Sequence, residues 1–525
     1  METKLVATDV MIDTSGKRHV RFTQTYRGIP VLGADLVVHL SASSRYLGVT
    51  RSAARPVSLR TVSARLTSAQ AKTAAADAVK GTALSARLVV SNQNGKSVLA
   101  YQVPVNLVES NAAQARNVTV DAQTGDIIEN ASAIDDFISP QVMRKLHAQG
   151  EHARLAARTA TSPGKPSSSA AVFPAPAIGT GRSLFSGTVT LNTTQTASTN
   201  YTLIDTTRGR AEIRDAKHTT PADSRIFTAA SAMSDRDNVW GNSSTSDNAT
   251  AAVDAAYGLN STFDFYKSTF NRNGIKNDGV GPHGVVHYDT GYGNAAWVDA
   301  CSCMIYGDGD GQTFTKPLVQ LDVTGHELTH GVVAATAGLE SDVDPVTLEQ
   351  FGEPGSLNES LADIFGSAVE FKASSSVHAP NYLVGEQLGL TQGFLRRLDR
   401  PSLDKLEGAV DYWSTAASRT EVHAGSGVSS HAFYLLAEGS GSKTINGVTY
   451  NSPTFDGSAV TGIGRDAAVA IFYQALTRYM VPTTDFHDAR AATLQAAVDL
   501  YGSGSAQFNA VNRAWAAVNV TASNG

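Results

Sequence analysis

The sequence predicts an α+β fold in which a small strand-and-helix unit precedes a β-rich lobe and then an α-helical lobe. Three observations lead to this prediction. Alternating apolar and polar residues over 20–60 are typical of antiparallel strands, short Thr- and Val-rich strands recur over 183–320, and helical apolar periodicity dominates from about 322 onward. Strands and helices that are segregated along a chain in this way are characteristic of α+β folds.

Length and composition narrow the class of protein. The chain has 525 residues, which is too long for a single hydrophobic core. Its 42% hydrophobic and 17% charged residues are typical of a globular protein. The net charge of -6 argues against a nucleic-acid partner, which requires a basic surface. No apolar run reaches the ~18 residues of a spanning helix, so we expect no membrane span.

The N-terminal unit and the lobes are separated by a change in composition. Strands over 20–60 are followed by an Ala-rich helix (SAQAKTAAADAVKG) and by further strands (VLAYQVPVNL and ARNVTVDAQTGDIIENA). From 153 to 180, Ala, Ser and Pro dominate and periodicity disappears, so this stretch is predicted to be an exposed linker. Beyond it, one helix is expected over about 252–270 among the short strands.

The two cysteines indicate the redox state of the compartment in which the protein resides. Cys301 and Cys303 are too few for a disulfide scaffold and lack the spacing of a zinc ribbon. We favour a local bridge between them over two free thiols, and a bridge needs an oxidising compartment, which points to export. The start METKLVATDVMID lacks the charged and apolar regions of a signal peptide, so the signal peptide of a secreted protein is not part of this sequence.

The most informative motif is His326-Glu327-Leu328-Thr329-His330, which lies in a predicted helix. Helical residues four apart face the same side about one turn apart, so both imidazoles can bind one zinc ion. Glu327 is offset by about 100° and can reach a water molecule on that ion without binding the ion itself. The alternative is a helix that carries two solvated histidines.

A second predicted helix supplies the missing ligand. It contains Asn358-Glu359-Ser360-Leu361-Ala362-Asp363, in which Glu359 and Asp363 share one face. Glu359 can complete a site with two histidines and one glutamate. Asp363 can accept the free ring N–H of a ligating histidine, and Asn358 is expected to support the ligands in the same way. The alternative is an ordinary amphipathic helix with exposed acids.

With these residues the sequence resembles the thermolysin-like (M4) zinc metallopeptidases, over nearly the whole chain. Further similar blocks are YTLIDTTRG at 201–209, NAAW at 294–297, YGDG at 306–309, VHAGSG at 422–427 and GIGRDAAVAIFYQALTRYM at 462–480. The N-terminal blocks RHVRFTQTYRGIPVLGADLVVH and VDAQTGDIIE are similar to the propeptide of that family.

The resemblance implies a domain organisation and a route of maturation from a precursor. A β-rich catalytic lobe (181–335) and an α-helical catalytic lobe (336–525) follow a propeptide with a first subdomain (1–80) and a second, PepSY-like subdomain (81–152). The linker, 153–180, then holds the maturation site. The implied protein is a secreted, extracellular, monomeric endopeptidase that cuts protein or peptide substrates before bulky hydrophobic residues. Its propeptide acts as an intramolecular chaperone and inhibitor until it is removed by autoprocessing.

The resemblance also implies roles for single residues. His326, His330 and Glu359 bind one catalytic Zn²⁺, and Glu327 takes the proton of the attacking water and passes it to the leaving amine. His423 holds the oxyanion and Arg396 holds a substrate carbonyl, whereas alone they would be an ordinary loop histidine and a solvated arginine. The residues expected to bind substrate on the edge strand and in the pocket after the scissile bond are Asn294, Ala295, Trp297, Phe314, Val323 and Leu395.

Structural Ca²⁺ is implied as well. Asp322, Glu370 and Glu386 stand at positions similar to the family's paired calcium site, and carboxylate oxygens suit this ion. Asn381 stands where a carboxylate is usual, so the sequence does not fix the number of calcium ions.

The chain departs from the family pattern in three places. A loop is inserted over 340–356, Ser341 replaces a tyrosine that helps to bind the oxyanion, and Ser418 replaces the aspartate that orients the oxyanion histidine. Glu421 is the nearest substitute for that aspartate. These departures leave open a weakly active or inactive relative that binds peptides or serves in adhesion. A zinc hydrolase acting on non-peptide substrates is a further alternative, which the neighbouring family blocks disfavour.

Overall fold

The computed structural model describes residues 2–521 except 53–56, 93–95, 108–114, 150–172, 222, 345–346, 348 and 376. Most of the predicted linker, 153–180, therefore lies outside the described residues. The end of that linker is described and differs from the prediction. A strand begins at Ala175 and pairs along its whole length with the next strand, so the last residues of the predicted linker belong to the β-rich lobe.

The N-terminal unit is one mixed sheet, mostly antiparallel, with a helix packed on it. Its elements are β1 (Thr3–Ile12), β2 (Arg18–Tyr26), β3 (Ile29–Leu40), β4 (Tyr46–Arg51), α1 (Ser68–Val79), β5 (Gly81–Ala83), β6 (Arg87–Ser91), β7 (Val98–Leu107), β8 (Ala115–Asp121) and β9 (Ile127–Ser132). Helix α1 begins with a capping box between Thr67 and Gln70.

The predicted division of this unit near residue 80 does not interrupt the sheet. Strand β3, before the division, pairs in parallel with β6, after it, at Val31–Val90 and Leu32–Ser91. The buried alanines of α1 pack on valines of β7 and β8. The unit is therefore held together by backbone hydrogen bonds across the predicted boundary.

Two elements leave the N-terminal sheet and lie on the rest of the protein. They are β10 (Ile134–Asp136) and α2 (Pro140–Gln149). Arg144 of α2 forms an ion pair with Glu349 (2.7 Å), and Lys145 donates to the carbonyl of Leu406 (2.6 Å). The described end of the N-terminal unit is thus attached to the rest of the protein.

The β-rich lobe contains two sheets and one long helix. Its elements are β11 (Ala175–Arg182), β12 (Thr188–Ala197), β13 (Asn200–Thr202), β14 (Ile204–Asp205), β15 (Ala211–Asp215), α3 (Ile226–Ala229), β16 (Ser231–Ala232), β17 (Ser234–Asp235), β18 (Val239–Trp240), α4 (Ala249–Phe270), β19 (His283–Val286), β20 (Ala295–Val298) and β21 (Cys303–Tyr306). Helix α4 confirms the helix predicted over about 252–270.

The α-helical lobe follows. Helix α5 (Leu321–Ala334) ends the β-rich lobe, and the elements of the α-helical lobe are β22 (Asp342–Val343), β23 (Gln350–Phe351), α6 (Glu353–Ala373), β24 (Leu383–Val384), β25 (Arg396–Arg397), α7 (Val422–Glu438), β26 (Gly441–Ile445), β27 (Val448–Ser452), α8 (Arg465–Arg478), α9 (Phe486–Tyr501) and α10 (Ala506–Ala517). The observed architecture confirms the predicted α+β class with a β-rich lobe before a helical lobe. Among the described residues, no helix combines the length and the apolar character that a membrane span requires.

One sheet is shared between the N-terminal unit and the β-rich lobe. Its strand order is β10-β20-β21-β19-β15-β14, so β10 forms the edge beside β20. The two strands are antiparallel, with Ile134 opposite Val298 and Asp136 opposite Ala296. The turn that follows β20 carries the Cys301–Cys303 disulfide, which confirms the predicted bridge.

The helices α5 and α6 approach each other closely because glycines face each other at their crossing. A Cβ added to Gly325 would lie 3.0 Å from Cα of Gly366. A Cβ added to Gly366 would lie 2.8 Å from the carbonyl O of Asp322 and 3.0 Å from the backbone N of His326. Larger residues at either position would therefore push one backbone away from the other.

Substituting Gly366 should separate these helices. In Gly366→Ala the higher helix propensity of alanine favours the variant by about 1 kcal/mol, but overpacking of backbone against backbone costs about 1–3 kcal/mol. We expect a lower melting temperature in calorimetry and weaker zinc retention on dialysis. Lys372→Ala, at an exposed position of the same helix, is the control and should change neither quantity. Unchanged stability and zinc content in Gly366→Ala would show that the helices do not need this contact.

Candidate active site

The crossing of α5 and α6 brings three metal-binding side chains together. His326, His330 and Glu359 are buried, and they offer ligand atoms within 4.8 Å of one another. The Nε2 atoms of the two histidines are 3.0 Å apart, and they lie 3.4 Å (His326) and 3.7 Å (His330) from carboxylate oxygens of Glu359. Ligands about 2.0–2.1 Å from a tetrahedral zinc ion are separated by about 3.3 Å, so this donor set fits zinc.

Each histidine is oriented by a partner on α6. Nδ1 of His326 lies 2.8 Å from Oδ1 of Asp363, and Nδ1 of His330 lies 3.0 Å from Oδ1 of Asn358. Donation from both Nδ1 atoms leaves both Nε2 lone pairs facing Glu359. Burial lowers the pKa of His330 to about 4, which keeps that imidazole in the neutral form that binds metals.

Glu327 lies beside the three ligands. Its Oε2 accepts a hydrogen bond of 2.9 Å from the backbone N–H of Trp297 in β20, while its Oε1 is buried without a hydrogen-bond partner. Burial and the neighbouring carboxylates of Glu359, Asp135 and Asp136 raise the pKa of Glu327 well above its usual range. A carboxylate held in this way has a raised proton affinity, as a general base requires.

His423 stands at the start of α7, and its Nε2 lies 3.4 Å from Oε2 of Glu359. Its Nδ1 lies 2.7 Å from Oε1 of Glu421, and the other carboxylate oxygen of Glu421 caps the helix by accepting the backbone N–H of His423. Burial alone would lower the pKa of His423, but Glu359 and Glu421 hold it well above its usual range. Glu421 thus takes the position expected for the missing aspartate. Ser418, the residue that replaces that aspartate, lies in the short turn Ala417–Arg419.

Arg396 is fixed by two carboxylates in the buried interior. Its Nε and Nη2 donate to Asp363 at 2.8 and 3.0 Å, and its Nη1 donates to Oε1 of Glu407 at 3.0 Å. Asp363 therefore joins His326 to Arg396. The guanidinium is immobile, so it can hold one backbone carbonyl at a defined position.

The residues at 136–138 occupy the cleft between these groups. Nε2 of His423 lies 2.9 Å from the carbonyl O of Asp136, and Nη1 of Arg396 donates to the carbonyl O of Phe137 at 3.0 Å. Two consecutive carbonyls are thus held by the two residues that were predicted to hold substrate.

The predicted edge-strand residues bind the same segment. The carbonyl of Ala295 accepts the N–H of Phe137 at 3.1 Å. The side-chain amide of Asn294 accepts the N–H of Ile138 and donates to its carbonyl, both at 3.1 Å. Trp297 takes part through its backbone contact with Glu327. The structure therefore brings Asn294, Ala295 and Trp297 together beside the three candidate ligands.

The side chain of Phe137 is fully buried beside the metal ligands. Its ring centroid lies 5.1 Å from that of His326 and 5.0 Å from the guanidinium carbon of Arg396. The predicted pocket residues Phe314, Val323 and Leu395 are buried in the same hydrophobic core as Phe137.

The predicted calcium residues also lie close together. Oδ2 of Asp322 accepts the backbone N–H of Gly385, next to Glu386, at 2.6 Å. Nδ1 of His378 lies 3.3 Å from Oε1 of Glu370 and 3.5 Å from Oε1 of Glu386. Burial raises the pKa of Glu386 well above its usual range, and its Oε2 has no hydrogen-bond partner. The cluster therefore has a carboxylate that a cation would satisfy, together with an imidazole that the sequence did not predict there.

The insertion over 340–356 forms the β22–β23 hairpin, although residues 345, 346 and 348 lie outside the described residues. Ser341 donates a hydrogen bond to Gln350 within this hairpin. The hydroxyl of Ser341 thus links the two sides of the hairpin. Strand β22 also contacts β9 of the N-terminal unit.

Sequence reasoning missed several residues of the site. Asp136, Phe137 and Ile138 carry no motif, and their place in the cleft follows from tertiary pairing with β20. Glu407 and His378 were missed for the same reason, since each is recognisable only through its buried partner. The one local signal is at Glu421, where an acidic residue directly precedes a helix that begins with Val422-His423.

Comparison with known protein families agrees with this geometry. Residues 178–334 match the thermolysin metallopeptidase catalytic domain, and residues 347–520 match the thermolysin metallopeptidase alpha-helical domain. Residues 3–53 match the fungalysin/thermolysin propeptide motif.

Curated relatives resemble the chain over almost its full length. A transglutaminase-activating metalloprotease of Streptomyces mobaraensis is 40% identical over 98% of this chain, which spans only 61% of that protein. Bacillolysin of Bacillus cereus is 32% identical, over 98% of this chain and 84% of its own length. Thermolysin of Alicyclobacillus acidocaldarius subsp. acidocaldarius is 33% identical, over 97% of this chain and 84% of its own length. The chain therefore belongs to the thermolysin family of metallopeptidases and carries a propeptide region before its catalytic lobes.

Proposed function

We propose that this chain is the precursor of a secreted, zinc-dependent endopeptidase. The observation that carries the proposal is the buried set of His326, His330 and Glu359, with the unpartnered Oε1 of Glu327 beside it. When bound there, a zinc ion supplies Lewis acidity that polarises a scissile carbonyl and lowers the pKa of water toward about 7.

The residues around this centre have separate roles in peptide hydrolysis. Glu327 takes a proton from the attacking water and delivers it to the leaving amine. His423, held as a double donor by Glu421, stabilises the negative charge that develops on the scissile carbonyl oxygen. Arg396, fixed by Asp363 and Glu407, positions the carbonyl of the following residue.

The proposed domain boundaries rest on the family matches and on the sheet that contains β10 and β20. We propose a propeptide over 1–152, a linker that ends near Ala175, a β-rich catalytic lobe up to 335 and a helical lobe from 336. The propeptide match at 3–53 and the pairing of β10 with β20 support an inhibitory role for this region. The Cys301–Cys303 disulfide supports export, because such bonds persist in oxidising compartments.

The preferred substrate residue after the scissile bond is bulky and apolar. The fully buried ring of Phe137 beside His326 and Arg396 supports this preference, because it fills the space that such a side chain would take. Each methylene group that is missing from a side chain in a pocket of this kind costs about 1–3 kcal/mol of binding.

We also propose one structural calcium ion at Asp322, Glu370 and Glu386. These carboxylates suit calcium, and Asn381 in place of a carboxylate argues for a single ion. Millimolar calcium should raise the melting temperature of the protein, since binding to the folded state alone stabilises it. The shift should disappear in Glu370→Gln and persist in Glu438→Gln. An equal shift in Glu370→Gln would place the calcium elsewhere.

Loss of the partner of His330 should weaken zinc binding. Asn358→Ala leaves Nδ1 of His330 without its acceptor, and loss of such a contact reduces metal affinity by about 10–100-fold. Competition with a chromophoric chelator measures this affinity. The matched control is Asn509→Ala, at an exposed position of α10, which should bind zinc like the unmodified protein. An unchanged affinity in Asn358→Ala would show that the hydrogen bond does not support the ligand.

Removal of the proposed base should abolish activity while zinc stays bound. In Glu327→Gln we expect casein hydrolysis to fall by at least about 10²–10⁴-fold, because the amide cannot accept the proton. Metal analysis should show the same zinc content in Glu327→Gln as in the unmodified protein. A chelator should abolish the activity of the unmodified protein.

The control for this substitution is Glu438→Gln, at the other end of α7 from His423. Retained hydrolysis in Glu327→Gln would overturn the assignment of the base. No hydrolysis by the zinc-loaded, processed unmodified protein would favour a peptide-binding relative.

A further inference from the structure

Residues 134–138 lie in the cleft in the arrangement that a substrate needs for hydrolysis. Strand β10 runs antiparallel to the edge strand β20, and the pairing continues beyond it at Phe137 and Ile138 through Ala295 and Asn294. Strand addition of this kind fixes both the direction and the register of a bound peptide.

The register places one peptide bond at the reactive centre. The carbonyl O of Asp136 lies 2.9 Å from Nε2 of His423, and this Nε2 is 3.4 Å from Oε2 of the metal ligand Glu359. The next carbonyl, that of Phe137, is held on the other side by Arg396. The bond between these two carbonyls is therefore the one presented to the metal-binding residues and to Glu327.

The side chain after this bond fits the neighbouring pocket. Phe137 is fully buried between the ring of His326 and the guanidinium of Arg396. Oδ1 of Asp136 accepts hydrogen bonds from the hydroxyl of Tyr292 at 3.3 Å and from Nδ2 of Asn294 at 3.2 Å.

We infer that the Asp136–Phe137 bond is the first bond that this protease hydrolyses, within its own chain. The inference rests on the proposed function. The oxygen of a water molecule adds to the carbonyl carbon of Asp136, and the C–N bond to Phe137 breaks. Glu327 carries the two protons of this water in turn to the nitrogen of Phe137, which becomes the new ammonium terminus, while Asp136 acquires an α-carboxylate. The departing nitrogen is already held by the carbonyl of Ala295 at 3.1 Å.

This cut differs from maturation within the linker. It separates 1–136 from 137–525 and leaves α2 attached to the catalytic lobes through Arg144 and Lys145. Cleavage in the linker is then a later step, which removes α2 from the protein.

The test uses the full chain, purified with a chelator and started by addition of zinc. Intact-mass and amino-terminal analysis over time should show fragments ending at Asp136 and beginning at Phe137 before any other product. Their rate constant should be unchanged over a tenfold range of protein concentration, since the reaction is intramolecular. Glu327→Gln should yield neither fragment.

Substitutions at the residue after the bond sharpen the test. Phe137→Leu should be cut at a rate close to that of the unmodified chain. Phe137→Ser should be cut at least about 10–100-fold more slowly, since even one missing methylene group in an apolar pocket lowers the rate by about this factor. The control Phe455→Ala, at an exposed phenylalanine, should be cut like the unmodified chain.

The outcomes separate this inference from the proposed function. The inference would be overturned if the first cleavage occurred in the linker, or if the Asp136–Phe137 bond stayed intact in a preparation that hydrolyses casein. The proposed peptidase function would remain supported in both cases. A first-order rate constant that rises in proportion to protein concentration would show cleavage between molecules and would also overturn the inference. Absence of any hydrolysis, of the chain or of casein, with zinc bound would overturn both.

Discussion

The close crossing of α5 and α6 is the contact on which the rest of the site depends. Two glycines, Gly325 and Gly366, allow the helix backbones to meet without intervening side chains. The crossing brings the carboxylate of Glu359 to the two imidazoles of α5. It also carries Asp363 to His326, and through Asp363 it determines the position of Arg396. Metal ligands and the carbonyl-binding arginine are thus positioned by one helix pair.

The sequence predicted the parts of this arrangement that obey a local rule. The i, i+4 spacing of His326 and His330 and of Glu359 and Asp363 is a property of any helix, so their faces could be assigned before the fold was known. The α+β class and the order of the lobes followed from periodicity. The Cys301–Cys303 bridge followed from the proximity of the two residues in sequence.

The parts that were missed depend on contacts between distant segments. Nothing in the sequence around Ile134–Ile138 distinguishes it from an ordinary strand end, and its place in the cleft arises from pairing with β20. The continuity of the N-terminal sheet across the predicted boundary near residue 80 arises in the same way, because the parallel pairing of β3 with β6 joins segments that look separate in the sequence. The linker was extended too far, since the Gly- and Thr-containing strand at Ala175–Arg182 has weak alternation and is fixed by its partner β12.

The shared sheet has a consequence for the proteins that such a cleft can accept. An occupant must offer several consecutive residues in an extended conformation with free amide groups, as Ile134–Ile138 do. Helices and paired strands of a folded protein cannot do so, because their amides are already hydrogen-bonded to one another. Folded proteins can therefore be hydrolysed in this cleft only where their chains unfold locally. Their resistance to hydrolysis depends on the stability of their least stable segments rather than on the number of side chains that fit the pocket.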